Sequence, residues 1–143
     1  MIFDAQGKFS AAQAVTATAV SFNSIDLLAA GIPYGSSAAQ NRALGLFDIP
    51  LLIQVVENFN TLTSLTFSVE TDDNSAFSSA TTVATTPAIP LAQLVAGYQA
   101  SFDRIPRKVV ERHIRLRYTV IGTNPTLGKI TAGIVASVQS NPV

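Results

Sequence analysis

Strict alternation of apolar and polar residues recurs in three stretches of this chain and restricts it to β structure. In "TSLTFSVET", Leu65, Phe67 and Val69 fall on one face, and Ser64, Thr66, Ser68 and Glu70 on the other. That is the period of a strand with one dry and one wet side. "HIRLRYTVIG" repeats the pattern with Ile114, Leu116, Tyr118 and Val120 inward and His113, Arg115 and Arg117 outward. "KITAGIVASV" puts Ile130, Ala132, Ile134, Ala136 and Val138 on one side. Its small residues predict close approach to a facing layer or a neighbouring subunit.

Further strands are expected at "AVTATAV", "SIDLL", "LLIQVVE", "TTVAT" and "YQASFD". The turns between them, "IPYGSS", "ENFN", "DDNS", "TTPAIP" and "GTNPTLG", carry Gly, Pro, Asn, Asp or Ser, which relieve strain or bond locally. One short helical turn is expected near residues 90–96, opened by Pro90 and closed by Gly97, with Leu91, Leu94 and Val95 on one side. About eight short strands in 143 residues predict a single all-β domain over residues 1–143. The expected architecture is an antiparallel β-sandwich with jelly-roll-like topology.

A chain of this length buries about two thirds of its unfolded surface and needs no staple. The absence of cysteine excludes a disulfide framework, a thiolate zinc site and a cysteine nucleophile. Two segments depart from strand patterning. Residues 1–10 read as an N-terminal arm tipped by Ile2 and Phe3, with Phe9 beyond; Phe3 and Phe9 either cover one end of the sandwich or reach a neighbour. Residues 29–48 read as a long loop, a kind of segment that tends to serve binding. No secretory signal and no apolar run of about 18 residues is present, so a cytoplasmically made chain without a membrane span is expected.

Charged residues make up 13% of the chain against 48% hydrophobic, with a formal net charge of zero. Such a surface has little colloidal repulsion and suits a chain packed against others. Residues 104–117 hold six of the nine basic residues and one acid, Glu111, a local charge of +5 that leaves −5 for the remainder. This asymmetry raises either protein contacts or nucleic acid as partners. The rings nearest the basic window, Phe102 and Tyr118, read as inward, so the stacking platform of a nucleic-acid groove is missing and none is expected as partner.

Candidate chemistry is sparse. The single histidine, His113, lies in an arginine-rich strand, a poor setting for a base that must accept a proton. No glycine-rich phosphate loop or metal-ligand spacing occurs, and the expectation is a protein without enzymatic activity or cofactor. A pair of carboxylates brought together by folding is all that a glycosidase would require. "SVETDDNSAFSS" concentrates Glu70, Asp72 and Asp73. It lacks the frame of a calcium loop, since Ala80 and Val83 occupy the ninth and twelfth positions from Asp72. It reads as a hairpin connection with Phe77 folding back to cap the core, the alternative being an adventitious cation at Asp72 and Asp73.

Three blocks, "FDAQGKFSAAQAVTATAVSFNSIDL", "SLTFSVETDDNSAFSSATTV" and "RLRYTVIGTNPTLGKITAGIVASVQ", resemble the capsid cement (decoration) proteins of tailed bacteriophages, particularly the Bordetella phage type. The resemblance implies a jelly-roll-like protein on the virion exterior. It would form a homodimer or homotrimer and clamp neighbouring subunits of the major capsid protein, without enzymatic activity or cofactor. Contact candidates are then Ile2, Phe3 and Phe9 of the arm, Tyr34 and Arg42 of the long loop, and Arg107, Lys108, Arg112, Arg115 and Arg117 of the basic window. Two other readings compete. One is a carbohydrate-binding sandwich using Tyr34, in a chain with no Trp and three Tyr. The other is nucleic-acid binding through residues 104–117, with steep salt dependence.

Overall fold

The computed structural model describes residues 3–28, 31–32, 34–35, 37, 49–106 and 109–136. Among these, ten strands follow in order: β1 (Phe3–Ala14), β2 (Ala19–Val20), β3 (Ile25–Asp26), β4 (Ile49–Glu57), β5 (Leu62–Asp72), β6 (Thr81–Thr85), β7 (Ile89–Pro90), β8 (Arg104–Ile105), β9 (His113–Gly122) and β10 (Lys129–Val135). All pairings are antiparallel, in two sheets ordered β1-β10-β4-β8 and β2-β9-β5-β6. Two strands are interrupted: β2 and β3 both pair with β9, and β6 and β7 both pair with β5. Counting each interrupted strand once gives eight. The sheets then run first-eighth-third-sixth and second-seventh-fourth-fifth, the interleaved order of a jelly roll.

The two most strongly alternating stretches form the longest ladder. β5 and β9 pair so that Leu65 faces Val120, Phe67 faces Tyr118 and Val69 faces Leu116, which makes their dry faces coincide. Phe67 and Tyr118 meet edge to face at 5.8 Å. Across the sandwich, Leu51, Ile53 and Val55 of β4, Ile130 and Ala132 of β10 and Phe9 of β1 complete one core. Each fully buried aliphatic or aromatic side chain there contributes roughly 1.5–3 kcal/mol.

A polar chain crosses this core between the sheets. The Tyr118 hydroxyl bonds Ser10 Oγ (2.7 Å), and Ser10 Oγ donates to Gln13 Oε1 (2.7 Å). Ser10 has a single hydroxyl proton, so Tyr118 is the donor to Ser10. Gln13 Nε2 donates to the Val20 carbonyl, and Gln13 Oε1 accepts from the Phe22 amide. Every member is satisfied, which fixes the register of β1 against the opposite sheet. Burial pushes the Tyr118 phenol well above its ordinary range.

Several expectations are corrected. Residues 3–10 belong to β1 and pair with β10; Phe9 is 0% exposed and packs within its own chain. Alternation failed to reveal β1 because its register against β10 shifts three times, and each bulge moves the side chains to the other face. Of "AVTATAV" only Ala19 and Val20 follow the turn as strand, and "SIDLL" contracts to Ile25 and Asp26. "YQASFD" is no regular strand. Its backbone runs beside β4 through Val55 N to Tyr98 O, Ala100 N to Ile53 O and Leu51 N to Asp103 O, with one bridge, Gln54 to Gln99.

In β10 the inward set breaks after Ala132. Gly133 and Val135 are buried, Ile134 is half-buried and Ala136 exposed, while Val138 lies outside the described residues. A Cβ on Gly133 would come within 3.0 Å of Lys8 Cα, so this close approach is to β1, the paired strand of the same sheet, and not to the facing layer or neighbouring subunit that was expected. The helical turn is a 3₁₀ turn over Leu91–Gln93; Leu94 is fully buried whereas Val95 is exposed.

Candidate interaction surfaces

Two groups of side chains stand out on the sandwich: the charged residues around β5 and β9, and the loops at the end where β9 gives way to β10. The charged group begins with register. Glu70 faces Arg115 across the β5 and β9 ladder, and Ser68 faces Arg117, so one carboxylate lies beside two guanidinium groups on the outer face. Arg115 Nε donates to Glu70 Oε2 (2.7 Å), and Arg117 Nε pairs with Glu70 Oε1. Burial would push the Glu70 carboxyl up, but the bonds from Arg117 and Arg115 outweigh it and hold it below its ordinary value.

The connection after β5 folds over the same face. Phe77, at φ 52°, presents its ring to the Arg115 guanidinium at 4.2 Å and to His113 at 6.3 Å. Arg115 and His113 point away from the core by alternation, so Phe77 covers the outer face of the sheet. It is absent from the inter-sheet core cluster, which corrects its expected role as a core cap. Under this cover His113 is 8% exposed, where a wet outward position was expected.

Asp72 closes the connection. Its carboxylate accepts from Asn74 N (2.8 Å), Ser79 N (2.7 Å) and Ser79 Oγ (3.1 Å). These donors, Asn74 N foremost, hold its carboxyl below the ordinary value. Asp73 Oδ1 accepts from Arg112 N (3.2 Å), and Thr71 Oγ1 donates to Glu111. The acids of "SVETDDNSAFSS" therefore engage donors of their own chain. Among the described residues, no group of three or more His, Cys, Asp or Glu side chains is arranged to hold a metal ion.

The described arginines of the basic window are matched in the same way. Arg112 forks onto Asp26 at 2.7 Å through both Nε and Nη2, and this bond holds the Asp26 carboxyl well below the usual range and raises Arg112. Arg104 pairs with Asp103 at 3.0 Å. Of the contact candidates, Arg112, Arg115 and Arg117 thus come together with acids from β3 and β5. Phe3 is half-buried, with Lys8 Nζ 5.8 Å above its ring. Tyr34 is fully exposed. Ile2, Arg42, Arg107 and Lys108, with most of residues 29–48, lie outside the described residues.

Sequence reasoning missed the second group. At the end of the sandwich reached by Glu57 and Gly122, two asparagines knit three loops. Asn58 Oδ1 accepts from Ala96 N (2.7 Å). Asn60 Oδ1 accepts from Thr126 N and Leu127 N, and Asn60 Nδ2 donates to Thr126 Oγ1. Gly128, at φ 132°, leaves room for the Phe59 ring against its Cα. Val95 and Leu127 project from these loops, 48% and 54% exposed. "ENFN" and "GTNPTLG" gave a turn signal, but nothing local showed that the two turns bond each other.

Two antiparallel sheets in jelly-roll order define the class, an all-β sandwich. A family model, Bbp16, matches residues 9–134. The chain belongs to the Bbp16 family, a Bordetella bacteriophage protein family, and is read accordingly as a phage structural protein. No curated protein matches it. Among the described residues no helix is long and apolar enough to cross a membrane.

Proposed function

We propose that this protein is a capsid cement protein. It binds the outside of a phage head as a homodimer or homotrimer and bridges neighbouring subunits of the major capsid protein. The reading assigns it no catalysis and no cofactor, and places its action on the virion exterior. The observation that carries it is the family match over residues 9–134. The pairing of Glu70 with Arg115 and Arg117, and of Asp26 with Arg112, adds support. Groups that would otherwise be candidates for chemistry or for phosphate binding brace the fold instead, and many weak identical contacts on a closed shell suffice for cementing.

Mixing purified protein with expanded, undecorated heads tests the proposal. Saturable binding and a rise in the temperature at which heads rupture are expected. No binding, with unchanged head stability, would sink it. A carbohydrate-binding module is the second reading, favoured by the full exposure of Tyr34. A glycan-array signal abolished by Tyr34→Ala would replace the first reading with this one.

A further inference from the structure

We infer that the asparagine-knit end of the sandwich, centred on Val95 and Leu127, is the face that docks on the protein shell. This inference rests on the cement reading and names the surface that reading leaves open. Three observations carry it.

The first is charge. The loops at this end, residues 15–18, 58–61, 91–98 and 122–128, contain no Asp, Glu, Lys or Arg. The nearest charged residues, Glu57 and Lys129, pair with each other. At the other end, exposed Leu28 and Val110 are interleaved with Asp26, Asp73, Asp103, Arg104, Glu111 and Arg112. The centres of protein interfaces are depleted of charge and rimmed by neutral polar groups. Val95 and Leu127, on loops bonded to the neutral side chains of Asn58 and Asn60, have that composition.

The second is rigidity. Asn58 and Asn60 tie the three loops together, and the Thr61 hydroxyl donates to the Asn124 carbonyl (3.2 Å). Docking of loops already held in place forfeits little conformational freedom. The third is area. Val95 and Leu127, 48% and 54% exposed, offer a few hundred Å² of apolar surface at most. That falls short even of the apolar share, somewhat over half, of the roughly 800 Å² that each partner of a stable free pair buries. It is enough for a contact repeated around a shell, where neighbouring contacts hold each copy in place. The shell, and not a second copy, is therefore the occupant.

The test compares Leu127→Asp and Val95→Asp with Val110→Asp and Leu28→Asp for occupancy of expanded, undecorated heads. Melting curves check folding, and footprinting of wild-type protein on heads gives a readout that needs no variant. The inference expects the first pair to lose about tenfold or more in apparent affinity, since each buries a charge in the contact, and the second pair to bind as wild type. Footprinting should protect residues 94–97 and 122–128. Wild-type binding with unchanged Leu127→Asp and Val95→Asp, or protection confined to the other end, would overturn the inference and leave the cement reading standing. Wild-type protein that fails to bind heads would overturn both. Loss of self-association in Leu127→Asp, with head binding retained, would assign this end to a second copy and overturn the shell as its occupant.

Discussion

Glu70 shows how much one carboxylate settles. It is 5% exposed between two arginines, and removing its charge leaves both guanidinium groups without the acid that desolvates alongside them. Glu70→Gln should cost about 3 kcal/mol in chemical denaturation, the scale for breaking a buried pair from one side. It should also let the protein bind heparin at low salt, which the wild type should not. Tyr118→Phe is milder, because Ser10 still donates to Gln13 when the phenol is gone. About 1 kcal/mol is expected by the same measurement. At this scale the sequence was only partly legible. Alternation placed Arg115, Arg117 and Glu70 on wet faces, but their meeting depends on register. Counting the +5 window along the chain therefore left out Asp26 of β3 and Glu70 of β5, which pair with Arg112, Arg115 and Arg117.

Among the elements, β5 and β9 were readable because both faces of each strand differ in polarity over many residues. "TTVAT" was read to its observed bounds, Thr81–Thr85. β1 was hidden by its bulges, and β8 by having two residues. The connection after β5 was read as a turn, correctly, but its Phe77 went to the outer face because Arg115 and His113 offer it a surface there. This connection gives a pH prediction with a definite sign. Glu70 and Asp72 are held below their ordinary values of 4.5 and 3.8, so the unfolded chain takes up protons first as pH falls. The stability they add is complete at neutral pH and persists to about pH 5. It is lost on further acidification, as the pH drops through the folded carboxyl values. Melting temperature should therefore be flat from pH 7 to about 5 and fall below about 4, and the gap between wild type and Glu70→Gln should narrow there. Asp72→Asn should speed amide exchange at Ser79 and Asn74 about tenfold or more while the ladder of β5 and β9 stays protected.

For the whole molecule, the jelly-roll order places the turns of "ENFN", "PLAQLVAG" and "GTNPTLG" at one end and the ion-paired connections at the other. That distribution follows from topology and is invisible to any reading that moves along the chain. The predicted outcome is a protein with little affinity for DNA even in dilute salt. A steeply salt-dependent gel shift by the wild type would show that the arginines remain available to phosphate.

The first and last of the described strands, β1 and β10, are neighbours, and Phe3 lies opposite Val135. A pull applied through these two positions would load the bonds between β1 and β10 one after another, as a zipper opens, and not all together. End-to-end traction should therefore peel β1 away at low force in an optical-trap measurement. On the proposed cement reading, a head under outward pressure would not be held through this pair of strand ends; the tension would enter the sandwich across its rigid loops, where many bonds share it at once.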